Sequence, residues 1–409
     1  MSSVFKFGSS RKGKHPRNKV NGSEPKSIVR TGRVESRPVL ITGGAGFIGS
    51  NLAERLLSSG HPVLIFDNLS RSGVENNLEW LFASHGNLLR FEQQDVRNFS
   101  ALRLAAREAA AVFHFAAQVA VTDSLTDPRQ DFEVNALGTL NLLEALRSLP
   151  SAPPLVFTST NKVYGGLLDL KLEIDDQEYR PADGDLGRKG IAENRPLDFQ
   201  SPYGCSKGAA EQYVLDYARS FGMPNVVFRM SCIYGPHQFG TEDQGWVAHF
   251  LIRAAEKMAI TIYGDGKQVR DILYVDDLVD AFLLARSNVD RIRGQAFNIG
   301  GGVSNAISLL KLIAFIRELR GEPVSVRWDS WRQADQHYYV SDTTKFSTAV
   351  GWHPKVSARD GIARLHRWLE EAAGTPLQAA FRHECTPIAE FHPRAHTPAR
   401  LSGSIIRST

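Results

Sequence analysis

The chain has 409 residues, of which 42% are hydrophobic and 22% are charged. These proportions are those of an ordinary globular protein and exclude a collagen-like, disordered or disulfide-rich chain. Three scattered cysteines, Cys205, Cys232 and Cys385, are too few for a disulfide framework or a zinc cluster, so we expect a reducing, cytoplasmic location and no metal. The most apolar long stretch, residues 109–121, is interrupted by His114 and is too short to span a membrane.

The net charge of +4 is unevenly distributed along the chain. Residues 1–37 carry a net charge of +8 and the remainder −4. We therefore expect residues 1–36 to be a disordered basic arm; an arm that binds nucleic acid or anionic membrane, and an organellar transit peptide, are the alternatives. For the folded body we expect neither nucleic acid nor a membrane as a partner. Residues 374–409 lack hydrophobic periodicity, which predicts a second disordered tail.

Short apolar runs alternate with helical patterns between residues 37 and 373. We predict strands at 38–41, 63–66, 112–115, 155–157, 226–228 and 296–299, and helices at 47–57, 138–149 and 209–221. This alternation is typical of an α/β fold of the Rossmann type, a doubly wound parallel sheet covered on both faces. Residues 165–200 form a long acidic stretch, either a lid loop or an insertion with its own short elements.

A glycine-rich turn follows the first predicted strand. Gly43, Gly46 and Gly49 permit a tight turn, a close approach to a pyrophosphate, and close packing of the next helix, whose N-terminus attracts an anion. Asp67 ends the second strand, where a carboxylate accepts hydrogen bonds from ribose hydroxyls and favours NAD over NADP, a preference that Arg71 weakens. Further cofactor contacts are predicted for Phe47, Ile48, Asn68, Asp95, Val96, Ala116, Ala117 and Gln118.

Tyr203 and Lys207 are four residues apart at the start of a predicted helix, so they share one helical face. We expect the Lys207 ammonium to lower the pKa of Tyr203, so that the phenolate takes a proton from a substrate hydroxyl while hydride leaves for a nicotinamide. Both residues would also contact the cofactor. Thr160 ends a strand and is expected to hydrogen-bond the same substrate oxygen. We interpret His114, on an apolar strand, as a core histidine.

Taken together, these motifs resemble the extended short-chain dehydrogenase/reductase family of nucleotide-sugar epimerases and dehydratases. The resemblance also rests on residues 135, 138–139, 163–165, 201–204, 229, 234–235, 264–266 and 270–271. It covers about residues 38–373 and implies a Rossmann domain that binds NAD. It also implies a smaller, interleaved C-terminal domain, from about residue 236, that holds the diphosphate of a nucleotide sugar.

The residues after Thr160 bear on the reaction. Dehydratases of this family carry Asp-Glu there, whereas this chain has Asn161 and Lys162, which cannot act as a carboxylate acid and base. Residues 158–165 resemble the CDP-paratose 2-epimerase group, which implies inversion at C2 through a 2-keto intermediate and favours a CDP-sugar. The alternatives are a UDP-hexose 4-epimerase or related nucleotide-sugar oxidoreductase and, in another class, a non-catalytic dinucleotide-binding sensor or scaffold.

The resemblance also assigns the cations that would hold the substrate diphosphate. Arg270 and Arg332 match family positions with this role, and an arginine fork suits phosphate oxygens. The alternative for each arginine is a surface salt bridge. Asn161 and Lys162 are expected beside the sugar ring, and we expect the enzyme to be a homo-oligomer.

Deleting residues 1–36 should leave fold and activity intact, because that arm has no hydrophobic periodicity and the first predicted strand starts at residue 38. Thermal melting and turnover of the truncated and full-length proteins would be compared. A truncated protein that is inactive or aggregates would instead show that the arm packs on the body or completes the site.

Overall fold

The computed structural model describes residues 37–332 and 335–372. The predicted arm at 1–36 and the predicted tail at 374–409 lie outside the described residues. The strands are β1 (Val39–Thr42), β2 (Val63–Asp67), β3 (Leu89–Gln93), β4 (Ala111–His114), β5 (Leu155–Thr160), β6 (Leu172–Ile174), β7 (Tyr179–Pro181), β8 (Asn225–Met230), β9 (Cys232–Tyr234), β10 (Ile260–Tyr263), β11 (Val269–Tyr274), β12 (Gln295–Ile299), β13 (Ala306–Ser308), β14 (Val326–Asp329) and β15 (Tyr338–Tyr339).

The helices follow the strands in alternation over most of the chain. They are α1 (Phe47–Ser58), α2 (Val74–His85), α3 (Phe99–Glu108), α4 (Val121–Thr126), α5 (Pro128–Phe132), α6 (Gly138–Arg147), α7 (Gly184–Lys189), α8 (Ser201–Phe221), α9 (Trp246–Ala255), α10 (Val275–Ser287), α11 (Val289–Ile292), α12 (Leu309–Arg320), α13 (Thr344–Val350) and α14 (Ala358–Ala372). A π-helical turn spans Glu133–Leu137 and a 3₁₀ turn spans Asn161–Tyr164. No helix within the described ranges combines the length and apolarity needed to cross a bilayer.

Seven strands form one parallel sheet in the order β12-β8-β5-β4-β1-β2-β3. Successive residues of each strand point to opposite faces, so Val39 and Ile41 join the core on one face and Leu40 joins the core on the other. Burial on both faces explains why these strands are continuous apolar runs. The sheet has the doubly wound Rossmann topology predicted from the sequence.

One strand of this sheet was not predicted. β3 forms the sheet edge, and Arg90 and Glu92 alternate there with apolar residues. An edge strand has a half-exposed surface, so it lacks the continuous apolar run that identified the central strands. The predicted helix that begins near Tyr203 and the helical pattern at 209–221 form one helix, α8, which begins at Ser201.

A smaller body packs at the carboxyl ends of the main sheet strands. Its core gathers apolar residues from α9, β10, β11, α12 and α14, among them Phe250, Ile272 and Leu365. The chain crosses between the two bodies, because β12 returns to the main sheet and Phe282 of α10 packs against Phe113 of β4. The two bodies therefore interleave rather than follow one another.

Residues 165–200 contain short elements of their own. β6 and β7 pair as an antiparallel hairpin and α7 follows them. The segment is held to the sheet by Asn298, whose side chain donates to the Ile191 carbonyl at 2.8 Å and whose N–H donates to Glu193 at 2.7 Å. It is thus an insertion anchored on β12, not an irregular loop.

Candidate active site

A cavity of about 1050 Å³ lies where the sheet strands end and the smaller body begins. All the predicted site residues line it: Gly43, Gly46, Phe47, Ile48, Gly49, Asp67, Asn68, Asp95, Val96, Ala116, Ala117, Gln118, Thr160, Asn161, Lys162, Tyr203, Lys207, Arg270 and Arg332. The structure therefore brings together residues that are up to 289 positions apart in the sequence.

The glycine turn between β1 and α1 has no room for side chains at two positions. Gly43 has a φ of +70°, and a Cβ there would lie 2.5 Å from the backbone nitrogen of Ala116. A Cβ on Gly49 would lie 2.4 Å from the carbonyl oxygen of Gly43. No side chain caps the start of α1, so its first N–H groups are available to an anion at the cavity wall. This arrangement fits the pyrophosphate of a dinucleotide.

Asp67 lies at the end of β2, beside the glycine turn. One carboxylate oxygen accepts from the N–H of Ala45 at 3.0 Å and the other from the N–H of Leu69 at 2.9 Å. Burial raises the pKa of Asp67, and these backbone hydrogen bonds oppose the rise. A carboxylate has further lone pairs, so this held side chain can still accept from ribose hydroxyls.

Asp95 is tied into a polar cluster at the cavity wall. Arg97 donates to both of its carboxylate oxygens at 2.9 Å, and Asn68 donates to one of them at 2.9 Å. The Arg97 hydrogen bond, opposed by burial, lowers the pKa of Asp95 to about 2. Asn68 and Asp95, which were predicted separately as cofactor contacts, therefore form one rigid unit.

Gln118, predicted on the nicotinamide side, is fixed by the side chain of Asn135. The Gln118 N–H donates to the Asn135 side-chain oxygen at 2.9 Å, and the Asn135 amide donates back to the Gln118 carbonyl at 3.1 Å. Asn135 lies in the π-helical turn Glu133–Leu137. Such turns are frequent at functional sites, because the extra residue reorients a side chain.

Tyr203 and Lys207 lie in the first two turns of α8. Pro202 occupies the first turn, where its missing N–H costs no helical hydrogen bond. Thr160 is the last residue of β5, and its side chain acts on the Tyr203 phenol in the direction that favours the phenolate. The Lys207 ammonium lies 4.5 Å from the centre of the Phe157 ring. The three predicted catalytic residues thus share one region of the cavity wall.

The ionisation of Tyr203 differs from the sequence-based expectation. Burial raises the pKa of Tyr203 to about 12, although the nearby Thr160 side chain favours the phenolate. Burial also lowers the pKa of Lys207 to about 8, against the attraction of Asp131 and Glu211. The expected lowering of the Tyr203 pKa by Lys207 is therefore wrong for this arrangement, because desolvation of the phenolate is the largest effect on Tyr203.

His114 lies in the core and does not line the cavity. Its ring nitrogens lie 2.6 Å from the Thr42 hydroxyl and 3.0 Å from the Thr139 hydroxyl. Burial, with the nearby charge of Lys207, lowers the pKa of His114 to about 3. The imidazole is therefore neutral at physiological pH, as a hydrogen-bonded core histidine should be.

Three of the predicted substrate contacts are cations in this cavity. Arg270 and Lys162 share one oxygen of Asp335, at 2.7 Å and 3.7 Å respectively. Arg332 lies 3.3 Å from Asp243, and its guanidinium covers the ring of Tyr263 at 3.9 Å. Both arginines therefore make ion pairs within the cavity lining.

The fourth predicted substrate residue, Asn161, is buried. Its amide donates to the side-chain oxygen of Gln336 at 3.3 Å. Gln336 in turn donates to the Gly165 carbonyl at 2.7 Å, at the start of the insertion. Gln336 thus connects the side chain of Asn161 to the insertion, residues 165–200.

Sequence reasoning missed several residues of this cavity. Asp335 was not assigned a role, because its ion-pair partner Arg270 is 65 positions away and no local pattern indicates the contact. Trp246 donates from its indole nitrogen to the Cys232 sulfur at 3.3 Å, and both residues line the cavity. No local pattern indicates this contact, because the two residues meet only in the folded chain.

Residues 39–300 match the NAD dependent epimerase/dehydratase family. The CDP-paratose 2-epimerase of Salmonella typhi is 46% identical over 339 residues, which are 81% of this chain and 98% of that protein. This chain belongs to the NAD-dependent epimerase/dehydratase family.

Solved structures of this family agree with the fold. The UDP-glucose 4-epimerase of Thermus thermophilus, in complex with NAD, has 33% identity and a TM-score of 0.67, over 82% of this chain and 99% of that chain. The UDP-glucuronic acid 4-epimerase of Bacillus cereus, in complex with UDP-glucuronic acid and NAD, has 27% identity and a TM-score of 0.70, with the same coverage. The predictions of a Rossmann fold, of NAD as cofactor and of an enzyme of the epimerase class are confirmed.

Gly49→Ala should abolish retention of NAD, because the added methyl group meets the Gly43 carbonyl and pushes α1 away from the turn. Bound dinucleotide would be released by denaturing the purified protein and measured by chromatography. Gly187→Ala is the matched control, since a Cβ there has no atom within 4 Å. A Gly49→Ala protein with a full complement of NAD would show that the turn does not hold the pyrophosphate.

Proposed function

We propose that this protein is an NAD-dependent nucleotide-sugar epimerase that inverts C2 of a CDP-sugar, in the manner of a CDP-paratose 2-epimerase. The observation that carries the proposal is that Thr160, Tyr203 and Lys207 line one cavity, with Asn161 and Lys162 directly after Thr160. The similarity over 98% of the Salmonella typhi enzyme supports the same reaction.

In this proposal the side chains of α8 and β5 handle the proton. Thr160 donates to the substrate oxygen or the phenolate, and Tyr203 takes the proton of the C2 hydroxyl as a general base. NAD, which the glycine turn and Asp67 would hold, would supply the acceptor for the C2 hydride and would return that hydride to the opposite face of the 2-keto sugar. Tyr203 then gives the proton back to the new hydroxyl, so there is no net oxidation.

Elimination of water is disfavoured by the groups beside the sugar. Neither Asn161 nor Lys162 can serve as the carboxylic acid of a dehydratase. Asp335 is the carboxylate beside Lys162, and burial works against its ionisation, yet the attraction of Arg270 and Lys162 leaves its pKa below the ordinary value. An acid that stays ionised cannot protonate a leaving hydroxyl.

Arg270 and Arg332 are proposed to bind the diphosphate. A guanidinium presents paired N–H groups that match two phosphate oxygens. Arg270 is buried against Asp335, so its charge acts in a region of low dielectric. Arg332 is spread over the Tyr263 ring and is thereby held at the cavity wall.

A UDP-hexose 4-epimerase is the second candidate. It is supported by the fold and by the 33% identity to the Thermus thermophilus enzyme. The same Thr160, Tyr203 and Lys207 would act on the C4 hydroxyl if the sugar were seated differently. Asn161 and Lys162, in place of small residues after Thr160, speak against this second candidate.

We also propose a homo-oligomer located in the cytoplasm. Helices α5 and α8 pack together and expose Phe132, Tyr213 and Phe221, which are 56%, 47% and 51% accessible. Large apolar side chains exposed on these helices favour burial against a second copy. Cys205 and Cys232 are unpaired thiols, which fits a reducing compartment.

Tyr203→Phe should lower turnover by about 10²-fold or more, the usual contribution of a general base, with little change in substrate binding. Tyr213→Phe is the matched control, because it removes the same hydroxyl from an exposed position of the same helix. Steady-state rates and isothermal titration with substrate would be compared. A Tyr203→Phe enzyme as fast as Tyr213→Phe would remove Tyr203 from the mechanism.

A substrate deuterated at C2 should show a kinetic isotope effect and keep its deuterium at C2, because the hydride never leaves the site. Deuterium at C4 should have no effect on the rate. CDP-, UDP-, GDP- and dTDP-sugars would be incubated with the enzyme and the products read by NMR. An isotope effect at C4 would transfer the assignment to a 4-epimerase, and loss of water would contradict an epimerase.

A further inference from the structure

Asp131 is a fully buried carboxylate next to the proposed catalytic pair. It lies on α5, just before the π-helical turn. One of its oxygens accepts from the Asn135 amide at 3.1 Å, and the other accepts a short hydrogen bond from the Ser206 hydroxyl. Ser206 stands between Tyr203 and Lys207 on α8. These contacts hold the carboxylate against the helix that carries the general base.

Burial raises the pKa of Asp131, and the hydrogen bond from Ser206 and the positive charge of Lys207 oppose this rise. Lys207 is therefore the cation that stabilises the charged form of Asp131. Asp131 is the largest of the charges that favour the ammonium form of Lys207, ahead of Glu211 on the same helix. Asp131 also acts on Tyr203, where its charge opposes the phenolate.

Among the groups around Tyr203 and Lys207, Asp131 carries the charge with the main effect on their pKa values. His114 faces Lys207 from β4 but is neutral at physiological pH. Glu211 is already bound to Arg229 at 2.6 Å, a fully buried ion pair. Thr160 is near Tyr203 but carries no charge. Among the described interactions of Asp131, Lys207 is the one lysine or arginine that acts on its carboxylate.

We propose that Asp131 is a positioning residue whose negative charge sets the pH range in which the Tyr203 and Lys207 pair works. Its charge keeps Lys207 protonated despite burial, and it makes Tyr203 hold its proton to higher pH. The role in turnover rests on the proposed epimerase reaction, whereas the effect on Lys207 does not depend on the substrate.

The direction of the effect follows from the sign of the charge. A negative charge stabilises an ammonium and destabilises a phenolate, so Asp131 raises the pKa of both Lys207 and Tyr203. Turnover requires the Tyr203 phenolate and the Lys207 ammonium together, so the two limbs of the pH profile follow these two pKa values. Loss of the charge should therefore move both limbs of the profile toward lower pH.

Asp131→Asn removes the charge and keeps the shape. The first measurement needs no sugar: trace acetylation of the NAD-loaded enzyme with acetic anhydride over a range of pH, with Lys207 read by peptide mass spectrometry. The midpoint should lie near 8 in the native enzyme. In Asp131→Asn it should fall by about 1 pH unit or more, the usual effect of one nearby opposite charge. The second measurement is the pH profile of epimerisation, which should move in the same direction.

Asp216→Asn is the control, since it removes a carboxylate that is half exposed on the same helix and paired with Arg219. This control should leave the acetylation midpoint of Lys207 and the pH profile of epimerisation unchanged. An unchanged Lys207 midpoint in Asp131→Asn would overturn the proposal even if the enzyme epimerises CDP-sugars. A shifted midpoint in an enzyme that turns over no CDP-sugar would support it and contradict the proposed function instead.

A purely structural role predicts a different result, namely slower turnover at every pH with unmoved limbs. If Asp131→Asn does not fold, Asp131→Ser is measured in the same way, because its hydroxyl can keep one polar contact. If neither variant reaches the native melting temperature and NAD content, Asp131 is a structural residue and the proposal is overturned.

Discussion

Parallel strands all end at the same edge of a sheet, and this constraint places the whole site. In the sheet, β2 and β3 lie on one side of β1, and the next strand along the chain, β4, lies on the other side of β1. The loops after β1 and β4 diverge there and leave a crevice. Gly43, Asp67, Ala116 and Thr160 each follow or end one of four strands, so they meet although helices separate them in the sequence.

Helix α8 then supplies the charges of this crevice. Tyr203, Lys207 and Glu211 recur every four residues and lie on one face. Glu211 is satisfied by the Ser159 hydroxyl and by Arg229, both at 2.6 Å, and Arg229 also donates to Tyr164 at 2.9 Å. Removing one partner of such a buried pair typically costs about 3–5 kcal/mol. The network ties the catalytic helix to β5 and, through the Glu193 carbonyl, to the insertion.

Local patterns were enough to predict much of the molecule. A continuous apolar run predicts a strand buried on both faces, and a glycine turn between strand and helix predicts a dinucleotide site, because both follow from the geometry of a few consecutive residues. Tyr203 and Lys207 are likewise fixed relative to each other by the helical repeat. The sequence signal for a strand was weaker where the segment is half exposed, as at the edge strand β3. It was also weaker in the acidic stretch, where Leu172–Ile174 and Tyr179–Pro181 form a short hairpin.

The sequence by itself therefore determined the fold class, the glycine turn and the residues of the proposed catalytic set. Only the tertiary structure decided their ionisation and their partners. Asp131 and Lys207 are 76 positions apart, and Asp335 joins Arg270 across 65 positions, so no local pattern pairs them. The pKa of Tyr203 rises rather than falls, because desolvation depends on how completely the folded chain excludes water, and spacing along a helix does not record this.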